Sequence, residues 1–515
     1  MGEPMSRPIL TTALSALLTA ITTTAGCNTA SAREVYVDAN AAGAQKGTKA
    51  APYKSLKEAL SRCGSGSTLR VAAGTYRGDL TIKGRQITML GGFGAGFAGR
   101  DPAQNKTVLS GTGKDAVLTL IDAGKTTIDG FVIKGGGGKL SKSALLGGGV
   151  YISGGDVTIS TCVIEKNKTT RAKRDLRLGG GIFARGGSLT LRDSVIRHNT
   201  SERGGGISMM EQRRARIIGN RIEHNVGIGD HGGGLYVQCN DLLLEKNVLR
   251  KNEIGRKIGW GWGGALCLVT KTSRARLTRN YVTENFAAGK GSGYFIDDES
   301  SAVIEDELIM ANSCAENGGS AIFVDGLSKG KGTTIKVTRS TIINHPCGGA
   351  AAGNALHVNL SSKAEIVDSV LINNGKKPVS AAEGSSFTIK RSLIDDRQIK
   401  GDKLVYDKPT FIAPEKGDVR LKALVGGIKP GVSWSLPSLL RRATKGASAA
   451  PPQREVKAAD RSTPKTASTA KTKQQDCSVG GPRDLRFPPP LAALLLLHLL
   501  GRRRRRSRTE APRAV

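Results

Sequence analysis

Apolar and polar residues alternate along this chain in short stretches, and the stretches come in threes. In "GGGLYVQCNDLLLEKNVLRKN", residues 232–252, Leu235 alternates to Val237, Leu242 to Leu244, and Leu249 stands in a third short segment. A period of two marks a strand with one buried face. The same triple recurs in "GGGVYISGGDVTISTCVIEKN" (147–167), "GGGIFARGGSLTLRDSVIRHN" (179–199), "GGGISMMEQRRARIIGNRIEHN" (204–225) and "GGALCLVTKTSRARLTRNYVTEN" (263–285), with weaker copies through Asn312, His345 and Asn374. No single segment can bury its apolar side alone. Stacking does it: the pattern predicts an all-β, right-handed parallel β-helix with three short strands per coil, built as a single-stranded solenoid.

Each copy opens on glycines and closes on an asparagine, which follows by five positions a slot holding Cys162, Ser194, Asn220, Asn247, Asn280, Glu307, Ser340 and Ser369. Glycine permits tight backbone at a corner, and an asparagine at a turn can hydrogen-bond its counterpart one coil away. These columns are therefore read as structural. No GxxxxGK[ST] follows a strand and opens a helix, so nucleotide binding is rejected. Upstream, Ser55-Leu56-Lys57-Glu58 is a capping box, and Leu56, Ala59, Leu60 and Cys63 form one helical face suited to cover the open end of the first coil. An uncovered end would expose strand edges and invite association.

Composition adds an address. The 515 residues carry a formal charge of +34, with 68 glycines and 4% aromatic residues. Residues 1–32 have a basic start, an apolar run and the small-residue site Ala30-Ser31-Ala32, the form of a signal peptide. Thr24-Ala25-Gly26-Cys27 is a loose lipoprotein box, which makes Cys27 an alternative anchoring residue. Residues 33–430 hold the repeat, and 431–476 are rich in Ala, Ser, Thr, Pro and Lys, a linker composition unable to bury a core. Residues 477–515 combine Cys477-Ser478-Val479-Gly480-Gly481, the apolar run "LAALLLLHLL" and the cluster Arg502 to Arg506. This order resembles the C-terminal sorting signal of myxobacterial surface proteins, which implies anchoring at Cys477 and a short membrane segment with the arginines on the cytoplasmic side. The expected location is extracellular or anchored at the outer surface, where disulfides are permitted.

Residues 33–436 contain 58 Lys and Arg against 37 Asp and Glu, net +21, so the basicity belongs to the fold as well as to the tail. A basic exported surface favours a polysaccharide or another polyanionic surface polymer. Nothing resembles a helix-turn-helix, a zinc finger or a single-strand-binding module, so specific nucleic-acid recognition is disfavoured. "TTRAKRDLRL" (169–178), "EQRRAR" (211–216) and "TSRARLTR" (272–279) are candidates for a polyanion-binding flank, or for solubilising charges that block edge pairing. The sequence leaves the oligomeric state open.

The opening "EVYVDANAAGAQKGTKAAPYKSLKEAL" resembles that of secreted bacterial β-helix proteins of the pectin-lyase-like superfamily. "GGFGAGFAGRDPAQNKTVLSGTG" and "PTFIAPEKGDVRLKA" are similar to segments that bracket their helices. The glycine and terminal-Asn pattern also resembles the repeats of chlamydial polymorphic outer-membrane proteins, with an aliphatic residue or Tyr in place of the Phe of FxxN. The resemblance implies the fold over roughly residues 33–430; it does not select one activity, because the superfamily holds lyases, hydrolases, epimerases and non-catalytic surface proteins.

Candidate chemistry lies on the outward positions of the first strand of each coil. One column reads Tyr151, Phe183, Ser208, Tyr236, Cys267, Phe295, Phe323, His357. With coils about 4.8 Å apart, its rings would form a platform for sugars, unless flanking loops, the tail or a partner cover the stripe. Trp260 and Trp262 would extend that platform or pack their own loop. The next column contains Ser153, Arg185, Met210, Gln238, Val269, Asp297, Asp325 and Asn359, with Gln238 a further candidate contact to substrate. Asp297 and Asp325 on successive coils would stand roughly at the separation of retaining glycosidases, about 5 Å. With Asp298 they are the candidate catalytic residues, although Asp-Asp and Asp-Gly are also ordinary strand-ending turns. No cofactor is expected; calcium enters only under a lyase reading, held by this acidic cluster. "GDHGGG", with Asp230 and His231, is similar to the Gly-His-Gly of polygalacturonases, but its order relative to Asp297-Asp298 is reversed and no Arg-Ile-Lys follows. Three readings stand: an exported surface protein that binds or organises acidic polysaccharide without altering it; a polysaccharide lyase or glycoside hydrolase acting on an acidic glycan; and a purely structural or adhesive scaffold.

Overall fold

The structure is a computed structural model. It describes residues 33–435 except 170–175, 271, 273, 316–318, 328–331, 346, 348–354, 376, 383, 408, 414–417, 424–426 and 428. Residues 1–32, with Cys27, and 436–515, with Cys477, lie outside the described residues. The chain divides into two units, Met1–Ala450 and Pro451–Val515, and every described residue belongs to the first.

That unit is a right-handed parallel β-helix whose walls are sheets of 11, 13 and 12 strands. The three alternating segments of each copy supply one strand to each wall. In the coil of residues 232–252 they are Leu235–Cys239, Asp241–Glu245 and Val248–Arg250. Each pairs in parallel with its counterparts one coil before and one coil after. The inward residues Leu235, Val237, Leu242, Leu244 and Leu249 are fully buried and stack on their equivalents in one continuous core. A fourth wall has no counterpart in the sequence reading. Two-residue strands Thr200–Ser201, Val226–Gly227, Glu253–Ile254, Phe286–Ala287 and Ser313–Cys314 form a narrow sheet beside the third one.

The corners explain the punctuation. His198, His224, Lys251 and Glu284 take left-handed φ of 51° to 54°, turning the chain so that the asparagine after each points inward. Asn199 donates from its backbone N–H and from Nδ2 to Oδ1 of Asn225, both at 3.1 Å, and Asn225 does the same to Asn252 and Asn252 to Asn285. His345 replaces asparagine further along: its Nδ1 accepts from the Asn312 N–H at 3.3 Å, which leaves Nε2 as the donor to Ile309 O. At the opposite corner Gly232 has φ +68°, and a Cβ on the next residue, Gly233, would run into the carbonyl of Gly264 on the following coil. Only glycine allows that approach.

Helix Leu56–Arg62 begins at Ser55, whose side chain accepts from the Glu58 N–H, and buries Leu56, Ala59 and Leu60 against the first coil. At the far end Ile399, Leu404 and Tyr406 close the core. The chain then returns along the outside of the third sheet. Val419, Leu421 and Val432 pack on Leu308, Ile343, Val370 and Leu393. Ser433 donates to the Asp306 carboxylate at 2.8 Å, and Trp434 Nε1 donates to Asp306 O at 2.7 Å. Packing thus continues past residue 430 through Trp434, and among the described residues the core carries a cover at each end. A disulfide joins Cys314 to Cys347 one coil on.

Candidate functional site

The outward column of the first sheet has the register read from the sequence. Tyr151 pairs with Phe183, Phe183 with Ser208, Ser208 with Tyr236, Tyr236 with Cys267, Cys267 with Phe295, Phe295 with Phe323, and Phe323 with His357. Its exposure differs from the expected platform. Phe183, Tyr236, Cys267, Phe295 and Phe323 are buried, Tyr151 and His357 are half-buried, and so are Gln238 and Trp262. Trp260 alone of the candidate sugar contacts is exposed.

The cover comes from the residue that precedes each glycine corner. Arg203 lies over the Tyr236 ring, 5.9 Å from its centroid. His231 meets Tyr236 edge-on at 5.8 Å and Trp262 at 4.8 Å, Trp262 stacks on Phe295 at 5.5 Å, and Lys290 Nζ sits 4.5 Å from the Phe323 centroid. Strand periodicity assigns the column to an outer face but is silent on what the loops do above it. The signal that was available is the register of Arg203, His231, Trp262 and Lys290, each one position before a Gly pair or a Gly-Ser-Gly.

These covering residues form a charged network under low exposure. Arg203 grips Asp230 with two bonds, at 2.6 and 2.9 Å, and His231 Nδ1 lies 2.9 Å from the same carboxylate. Burial pushes the Asp230 carboxyl upward, but His231 and Arg203 outweigh it and hold the group well below the usual carboxylate range. Burial pushes the Tyr236 hydroxyl up to about 12, so it stays protonated. Burial likewise raises the Cys267 thiol well above its ordinary value, a setting for a packed residue rather than a nucleophile.

Asp297 and Asp325 do fall on successive coils of one column, their N–H groups bonding Leu268 O and Ile296 O. They and Asp298 are 3% to 7% exposed. Asp325 is held from several sides: Asn359 Nδ2 donates to it at 3.0 Å, its own Gly326 N–H at 3.1 Å, and Lys290 Nζ lies 3.6 Å away. Among the described residues no group of three or more His, Cys, Asp or Glu side chains is placed to hold a metal ion. No chemical step is therefore derived through calcium.

The open site lies on the second sheet. Its outer column pairs Arg216 with Leu243, Leu243 with Arg276, Arg276 with Val303, Val303 with Lys336, and Lys336 with Glu365. With the neighbouring column of Asp241, Arg274, Ser301, Thr334 and Lys363, it floors a solvent-open groove of about 870 Å³. Arg216 pairs with Asp241 at 2.8 Å and Lys336 with Glu365 at 2.9 Å. Among the described residues Arg276 and Lys363 stand in no salt bridge, while Arg274 faces Asp241 across the ladder and helps to lower its carboxyl. "EQRRAR" and "TSRARLTR" thus supply Arg216, Arg274 and Arg276 to a single groove, two coils apart. Lys336 and Lys363 escaped the sequence reading because they sit singly, outside any basic run.

A family model described as "Right handed beta helix region" matches residues 118–289. No curated protein matches the chain. Among solved structures, pectate lyase Pel9A is 13% identical with a TM-score of 0.32, over 79% of this chain and 90% of that one. The polygalacturonase of Erwinia carotovora subsp. carotovora is 13% identical with a TM-score of 0.34, over 73% and 96%. The PL6 family alginate lyase AlyGC is 12% identical with a TM-score of 0.40, over 78% and 57%. At such identities the likeness is one of fold.

Proposed function

We propose that this chain is an exported surface β-helix protein that binds acidic polysaccharide along the groove of the second sheet and leaves it chemically unchanged. The observation that carries the reading is the set of cations Arg274, Arg276 and Lys363 on an open floor. Coils repeat about every 4.8 Å, so cationic and apolar rungs alternate along the stack at a fixed pitch. A linear polymer lying across them meets Arg276 and Lys336 with its anionic groups and Leu243 and Val303 with the apolar faces of its rings. Export is supported by the form of residues 1–32, and anchoring by the order of motifs in 477–515.

Exposed charges act through water and salt, with a screening length of about 10 Å at 0.1 M, so binding should weaken steeply with ionic strength. The experiment is retardation of residues 33–435 in gels cast with alginate, polygalacturonate or a neutral glucan. Retardation is expected in the acidic gels only, and Arg274→Glu with Arg276→Glu should weaken it at least about tenfold, about 1.4 kcal/mol. Unsaturated uronates or new reducing ends that vanish in Asp297→Asn or Asp325→Asn would replace this reading with the lyase or hydrolase one. Equal retardation of the wild type and the double variant would leave the scaffold reading.

A further inference from the structure

Between the short strand Glu253–Ile254 and the corner at Gly263 the chain takes eight residues, Gly255–Trp262, where the previous coil takes four, Ile228–His231. This longer loop is closed and fixed. Ile258 and Gly259 N–H groups both bond Gly255 O, at 3.1 and 3.0 Å, Gly255 N–H bonds Gly227 O, and Trp262 N–H bonds Asp230 O. Trp262 is wedged against Phe295 and His231, so the root of the loop is part of the covered aromatic column. What the loop holds outward is apolar: Ile258 is 42% and Trp260 44% exposed. Two of the five exposed large apolar side chains among the described residues therefore sit two positions apart on one hydrogen-bonded tip. Lys257 stands exposed beside them, and so does Arg256, which pairs with Glu253 at 2.7 Å and lies over the Phe286 ring.

We infer that this tip docks on an anionic lipid surface. A tryptophan and an aliphatic residue projecting together, flanked by cations, match the layering of a bilayer interface, where the indole and the aliphatic chain enter the headgroup boundary and the cations stay with the phosphates. A sugar-binding platform needs flat faces and hydrogen-bonding side chains, and Ile258 offers neither. Charge complementarity points the same way, since the net charge of +21 over residues 33–436 draws the whole unit toward an anionic leaflet. The inference is independent of the groove and of any glycan.

The test uses residues 33–435 and vesicles of phosphatidylcholine with or without phosphatidylglycerol, read by co-sedimentation and by tryptophan emission. The protein should sediment with the mixed vesicles and not with phosphatidylcholine alone, and its emission should shift to the blue, a shift absent in Trp260→Phe. Ile258→Ser with Trp260→Ser should reduce the bound fraction at least about fivefold, whereas Arg274→Glu with Arg276→Glu should keep the blue shift. Binding unchanged in the loop variant would overturn the inference, since general basicity would then account for it. A Trp260 shift produced by polysaccharide and not by vesicles would overturn it too, and make the loop part of a glycan site.

Discussion

Asn220, Asn247 and Asn280 pass a carbonyl oxygen from coil to coil, and at the next rung the chain places Glu307. Its Oε1 accepts from Asn280 Nδ2 at 2.6 Å, and its Oε2 from the Tyr294 hydroxyl at 2.6 Å. Burial raises the carboxyl to about 8, against the pull of the bonds from Tyr294 and Asn280 and with Asp306 adding to the rise. Between its ordinary 4.5 and about 8 the group is neutral in the folded chain and ionised in the unfolded one. Its contribution to stability is therefore complete below about 4.5, falls as pH rises to about 8, and is level above that. Denaturant midpoints measured across this window should fall more for the wild type than for Glu307→Gln, with the two curves converging toward low pH. His345, lowered by burial to about 4, acts in the other direction and costs stability as pH falls from 6.5, equally in both proteins. The column position of Glu307 was legible in the sequence; its neutrality was not, because that depends on how deeply the stacked coils bury it, an effect that outweighs the bonds from Tyr294 and Asn280.

Strands are the scale at which the sequence is most readable. Alternation placed Leu235, Val237, Leu242 and Leu244 inside and Tyr236 and Leu243 outside, since a strand has only two faces and one must be apolar. The segment that returns over the third sheet was less readable. Its apolar residues Val419, Leu421, Val432 and Trp434 are too sparse to announce a strand, and their partners lie up to 128 residues away in sequence. Asp306 is the anchor, taking Ser433 at its carboxylate and Trp434 at its carbonyl while Arg279 lies 3.2 Å from the same side chain. Trp434→Ala removes a hydrogen bond and an indole lid, an expected loss of about 2 kcal/mol in the last coils. Hydrogen exchange should register it at Thr341–Ile343 and Val370–Ile372, and not at Val150–Ser153; uniform destabilisation would show that the return segment is not a local clasp.

For the molecule as a whole, compartment and stability meet in the cysteines. Cys314 and Cys347 are bonded across adjacent coils, while Cys63, Cys162, Cys239 and Cys267 are buried thiols, Cys162 raised by burial to about 12. The bridge closes 33 residues of sequence. In the chain-entropy account a loop of that size is worth about 3–4 kcal/mol. Cys314→Ser with Cys347→Ser should lower the denaturation free energy by about that amount, and thiol titration of denatured, unreduced residues 33–435 should find the four buried cysteines and no more. Reactive Cys314 in protein isolated from its native cells without reductant would contradict export into an oxidising space.

The sequence by itself determined the repeat, the strand faces, the capping helix and the corner chemistry, because each follows from spacing within one coil or between a coil and its nearest copy. Tertiary structure alone decided which outer face is open. The sequence left open whether the aromatic column of the first sheet is exposed or covered; Arg203, His231, Trp262 and Lys290 fold over Tyr236, Phe295 and Phe323 and remove their apolar surface from water. Among the described residues no loop lies above Leu243, Arg276 and Val303, and the groove over them is open. Periodicity assigns a residue to a face, and only the path of the rest of the chain decides whether that face meets water.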